Sequence, residues 1–127
     1  MAKKLLLALL GIALTIELAL TVGAFFFPEQ TLIQFRLTVN PDSFFMIHLT
    51  GWFLLVIDAL IIAAIRGVMK NDPLGWKIAN LVSVWWVALG LSIYFFCGRP
   101  DNLGLDSAKG VLILIAGYFS SPQKSRP

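Results

Sequence analysis

The chain has 127 residues, 58% of them hydrophobic and 13% charged, and its mean hydropathy is +0.84. A soluble domain is about 45–50% apolar and about 25% charged, so this is a membrane protein's composition. Disorder, a collagen repeat and a disulfide scaffold are excluded: the chain is too apolar, its 10 glycines follow no period, and one cysteine cannot form an internal bridge. The 10 Lys and Arg against 7 Asp and Glu give a net charge of +3. Beside a bilayer, that excess belongs to the flanks of spanning segments.

A spanning helix needs about 20 mostly apolar residues. The first such segment runs from Leu5 to Phe27, interrupted only by Glu17, and stops at Pro28. A signal peptide is the alternative reading, with Lys3-Lys4, an apolar core and Val22-Gly23-Ala24 as cleavage site. The apolar stretch outlasts an ordinary signal core, so a retained helix is expected. Between the first two spans, Ile33 to Val39 alternates apolar and polar residues, which fits an extended flap or a short interfacial helix.

The second span covers about Phe44 to Ile65, with Asp42 or Ser43 as its cap and Asp58 as its interior exception. Asp72-Pro73 opens the third, a cap followed by the proline that a first turn tolerates, and it continues to Cys97. The fourth is apolar only from Gly110 to Phe119 and is long enough only if it starts near Leu103. It is expected to end near Ser120, leaving residues 121–127 as a disordered tail. The expected fold is therefore one all-α domain, an integral membrane four-helix bundle of up-down topology.

Basic residues in short loops set orientation. Lys3, Lys4, Arg66, Lys70, Lys77, Lys124 and Arg126 fall on one side, against Arg36, Arg99 and Lys109 on the other. Both termini are then cytoplasmic, and a multi-pass protein of a bacterial inner membrane is expected.

Glu17 and Asp58 are the candidate catalytic pair, because an ionisable group within a span is costly and faces the bundle interior or a wet cavity. As an acid/base pair they would serve an isomerase- or cyclase-type enzyme on an isoprenoid, sterol-like or quinone substrate, or proton-coupled transport by an oligomer. As structural groups they would bond to Ser83, Asn80, Thr15 or an indole N–H of Trp85 or Trp86. Trp85-Trp86 lies mid-span, with neighbouring positions about 100° apart on the helix, so one indole faces inward and the other faces lipid or a partner. A ligand site would draw on Trp85, Trp86, Ser83 and Asn80, with His48 and Trp52 nearer the outer surface. One His and one Cys97 assemble neither a bis-His nor a zinc site within one chain, and no metal or other cofactor is expected. Arg36, Arg99, Asp101, Asp106 and Lys109 form a mixed-charge cluster on the outer face, read as surface ion pairing or a polar lid.

The local patterns Phe27-Pro28-Glu29 before Leu32-Ile33, Gly51 in the second span, and Asp106 to Phe119 ending Gly117-Tyr118-Phe119 give the chain a resemblance to DoxX-like small bacterial membrane proteins. The arginine that follows the second-helix glycine in some relatives is absent. The resemblance implies a four-helix bundle, in some relatives associated with redox or stress complexes, and no agreed chemistry. The expected partners are the lipid bilayer, a larger membrane complex or further copies of the chain, and a lipophilic small molecule; nucleic acid is not among them. A non-catalytic subunit or lipophilic-ligand-binding protein is the leading functional expectation, ahead of the enzyme and the transporter.

Overall fold

The computed structural model describes residues 1–122 and is all-helical there, with no strand among the described residues. The helices are α1 (Ala2–Phe26), α2 (Pro28–Gln34), α3 (Pro41–Met69), α4 (Pro73–Cys97) and α5 (Ala108–Ser120), the last preceded by a π-helical turn, Leu103–Ser107. Four segments are long and apolar enough to cross a membrane: α1, α3, α4 and the continuous Leu103–Ser120 helix. The expected tail lies mostly outside the described residues; within them, Ser121 and Pro122 follow α5 without helical structure.

Each helix boundary has a chemical cause. Phe27 leaves the helical region at φ −133° and ψ 56°, and Pro28 then starts α2 at the position where its missing N–H is harmless. The expected extended flap is therefore corrected. Its first residues, Ile33 and Gln34, close α2, and Arg36 turns the chain at φ 58° while its N–H donates to the Ile33 carbonyl. A two-residue alternation in so short a run cannot outweigh helical hydrogen bonds when no neighbouring strand is present.

The cap of α3 is also corrected. Asn40 is the cap, because its Oδ1 accepts from the Ser43 N–H at 2.9 Å while Ser43 Oγ accepts from the Asn40 N–H at 2.9 Å. This reciprocal pair places Pro41 in the first turn and extends the helix three residues before Phe44. At the other end of α3, Asn71 takes the left-handed conformation (φ 57°), and the Asp72 N–H closes back on the Gly67 carbonyl at 2.8 Å. Asp72 then caps α4 through the Leu74 N–H at 3.0 Å, and left-handed Gly98 ends that helix.

The chain forms two units, Leu14–Ala59 and a second made of Met1–Ala13 with the residues from Leu60 onward. In the first, α2 lies close to the end of α1: a Cβ on Gly23 would come within 2.6 Å of Thr31 Oγ1. A Cβ on Gly51 of α3 would meet Ala24 Cβ at 3.2 Å. In the second unit, a Cβ on Gly67 would lie 2.6 Å from Gly75 Cα, so the α3–α4 turn is closed backbone to backbone. Small residues of this kind allow helices to approach where lipid supplies no hydrophobic drive for association.

Gly110 makes the sharpest test of this packing. A Cβ there would sit 2.5 Å from the Ser83 carbonyl oxygen and 2.9 Å from Val87 Cγ2, whereas one on Gly104 meets nothing within 4 Å. Gly110→Ala is expected to cost about 1–3 kcal/mol, as overpacking against immobile backbone does. Gly104→Ala should stay within about 0.5 kcal/mol of the parent. Unfolding of the two variants in detergent, followed by circular dichroism, separates them; equal stability would remove the close α4–α5 contact.

Candidate functional site

In the unit Leu14–Ala59, Glu17 and Asp58 are both buried at 2% exposure, and Thr21 stands between their helices. The Thr21 hydroxyl lies 2.7 Å from the Glu17 backbone carbonyl and 2.6 Å from Asp58 Oδ2. The hydroxyl faces both acceptors, donating across to Asp58 Oδ2 on α3 and back to the Glu17 carbonyl on its own helix. Asp58 Oδ1 is buried without a partner. The Thr21–Asp58 hydrogen bond clamps α3 to α1, one helical turn beyond Glu17.

His48 and Trp52 lie on the exposed side of the same stretch of α3, each meeting the Phe25 ring edge-on, with centroids 5.3 and 5.5 Å away. Nearby, Leu32, Leu37, Met46 and Ile47 line an open groove of about 400 Å³ whose rim carries Asp42 and Thr38.

The other unit holds the remaining candidates. The two adjacent tryptophans diverge: Trp86 is fully buried and Trp85 is 37% exposed. Asn80 is on the exposed side, with Oδ1 against the α5 backbone at Gly117. Ser83 shares the buried face with Trp86, one turn earlier. Both Ser83 Oγ and Trp86 Nε1 are buried without a hydrogen-bond partner.

Above the Trp86 ring sits a charged cluster that the sequence reading assigned to an outer surface. Lys109 Nζ is 4.1 Å from the ring centroid and 3.6 Å from Asp106 Oδ1, while Asn102 Nδ2 donates to Asp106 Oδ2 at 2.7 Å. The Asp106 and Lys109 side chains are each only 11% exposed. For these two, surface ion pairing is corrected to a largely covered pair. The π-helical turn is the local cause: it places Asn102, Asp106 and Lys109 in sequence along one face, and Ser107 Oγ–H anchors that turn to the Val87 carbonyl at 3.1 Å. Their spacings of four and three residues were the available signal. A cation over an indole face beside a carboxylate is well held in a medium of low dielectric.

No family model matches the chain, and no curated protein or solved structure matches it either.

The Thr21–Asp58 contact is testable apart from function. A double-mutant cycle of Thr21→Val and Asp58→Ala should give a coupling energy of about 0.6–1.7 kcal/mol, the span measured for hydrogen bonds between membrane helices. Asp58→Asn, whose amide oxygen can still accept from the Thr21 hydroxyl, should retain most of the stability lost in Asp58→Ala. Coupling indistinguishable from zero in unfolding titrations would remove the clamp.

Proposed function

We propose that this is a multi-pass protein of a bacterial inner membrane, an up-down four-helix bundle with cytoplasmic termini, that binds a lipophilic molecule through an oxygen acceptor. The basic-residue asymmetry and the DoxX-like patterns support the topology. The ligand reading is carried by one observation: Ser83 and Trp86 present two buried donors with no acceptor among the described residues. An unmade buried hydrogen bond costs about 1–3 kcal/mol. A carbonyl or hydroxyl oxygen on an apolar body, as in a quinone, a sterol-like molecule or an isoprenoid alcohol, removes that cost while its body stays in the hydrocarbon.

The non-catalytic subunit reading has its own support in the outward side of α4, where Leu81, Val84, Trp85 and Leu91 are exposed and suit either lipid or a protein partner. Acid/base catalysis by Glu17 and Asp58 is less well supported, because Thr21 already engages the acid group of Asp58.

The test is the content of the purified protein. Extraction and mass spectrometry should find an oxygen-bearing lipophile with the parent chain. Ser83→Ala or Trp86→Phe should lower its occupancy roughly two- to tenfold, as the loss of one hydrogen bond implies. Trp85→Phe, on the exposed side, should leave it unchanged. A parent chain that carries no such molecule but holds a protein partner in native mass spectrometry would overturn ligand binding in favour of the subunit reading.

A further inference from the structure

The turn between α3 and α4 carries a second feature, separate from the buried donors of α4. Ala63, Arg66, Gly67 and Lys70 on one side and Asp72, Leu74, Gly75 and Ile78 on the other enclose a groove of about 200 Å³. Its floor is bare backbone, since Gly67 and Gly75 approach too closely for either to bear a side chain. Arg66, in the last turn of α3, and Lys70, the residue that follows its end, are four positions apart, and both are exposed. Their backbones bond to each other, Lys70 N–H to the Arg66 carbonyl at 3.1 Å, while neither side chain makes an ion pair or a hydrogen bond among the described residues. The acidic member, Asp72, has Oδ1 committed to the Leu74 N–H. A third cation stands at the same turn: Lys3 Nζ donates to Asn71 Oδ1 at 2.8 Å, bringing the start of α1 alongside.

We infer that this groove binds the phosphate of an anionic phospholipid, with the acyl chains running along Ala63, Leu74 and Ile78. Two features favour a lipid over a soluble anion. Arg66 sits in the last turn of one span and Lys70 just past its end, while the apolar walls continue into the next span, so charge and hydrocarbon contact are offered together where the two long apolar helices meet. The guanidinium of Arg66 also presents a planar fork suited to two phosphate oxygens, while Lys70 supplies a mobile point charge. Basic pockets between spanning helices hold lipid head groups by the same chemistry. The site requires only that the turn be at a membrane surface, whichever surface that is.

The experiment uses the full chain in nanodiscs of phosphatidylcholine doped with phosphatidylglycerol, with retained lipid counted by native mass spectrometry on release. The parent should retain phosphatidylglycerol in preference to phosphatidylcholine of equal chain length. Arg66→Gln/Lys70→Gln should reduce that preference about tenfold. Lys77→Gln, an exposed cation on α4 outside the groove, should change it less than twofold. Arg66→Lys/Lys70→Arg, which keeps both charges, should restore most of it, and circular dichroism of Arg66→Gln/Lys70→Gln should match the parent. Equal losses in Lys77→Gln and the double variant would reduce the effect to diffuse surface charge and overturn the site. Displacement of the retained lipid by millimolar inorganic phosphate would assign the groove to a free anion instead. None of these outcomes depends on occupancy at Ser83 and Trp86, so the two proposals fail independently.

Discussion

Hydrocarbon offers no water to a backbone N–H or C=O, and this constraint orders the chain from end to end. A segment that crosses must satisfy its own backbone, which only a helix or a closed barrel does; here all four long apolar segments are helices. The unsatisfied groups are thereby driven to the helix ends, and there the sequence places its polar vocabulary. Asn40 and Ser43 cap each other across the first turn of α3, Asp72 caps α4, and Asn71 and Gly98 take left-handed conformations that close the ends of α3 and α4. Arg36 does the same for α2 without glycine's freedom, at the modest strain of a single left-handed residue.

The same constraint governs side chains inside the spans, and the chain meets it in two ways. Thr21 and Thr50 in the spans, like Thr31 in the short α2, turn their hydroxyls to the carbonyl four residues earlier. Such back-bonding removes a donor without needing a neighbour. Charged groups need a partner from elsewhere: Asp106 is held by Asn102 and Lys109, and Lys109 by Asp106 and the Trp86 face. Thr21 joins the two strategies, because its hydroxyl meets both the Glu17 carbonyl of its own helix and Asp58 Oδ2 of α3. Glycines make these meetings possible. Without the approach of α5 at Gly110 to the α4 backbone at Ser83, Lys109 one residue earlier would stand away from the indole.

The long apolar runs were readable because a span's length and composition are fixed by the bilayer, and Asp72-Pro73 and Pro28 marked boundaries through chemistry local to them. What was not readable depended on choices between equivalent local signals. Asn40, Asp42 and Ser43 are all good caps, and only the reciprocal bond selects Asn40. The alternation in Ile33 to Val39 is too brief to distinguish a strand from the end of a short helix followed by a turn. Among candidate site residues, adjacency on a helix separated Trp85 from Trp86 but not which of them was inward. Asp106 and Lys109 looked like surface charges because a linear sequence shows their polarity and not the π-helical turn that folds them over Trp86.

Ser83 departs from the pattern that its own chain establishes. A helical serine has the same recourse as the three threonines, and the Ala79 carbonyl is in position four residues earlier, yet Ser83 Oγ has no partner. Trp86 departs in the same way from Trp76, whose Nε1–H donates to Ser120 Oγ at 3.1 Å. Both exceptions fall on the buried face of α4, one turn apart and midway along the span, with Lys109 over the Trp86 ring. A structural serine or indole would be expected to take the local bond that its counterparts take. Two donors that forgo it on adjacent turns of one face carry the cost of two unmade buried hydrogen bonds, where the three threonines and Trp76 avoid that cost by bonds within the chain.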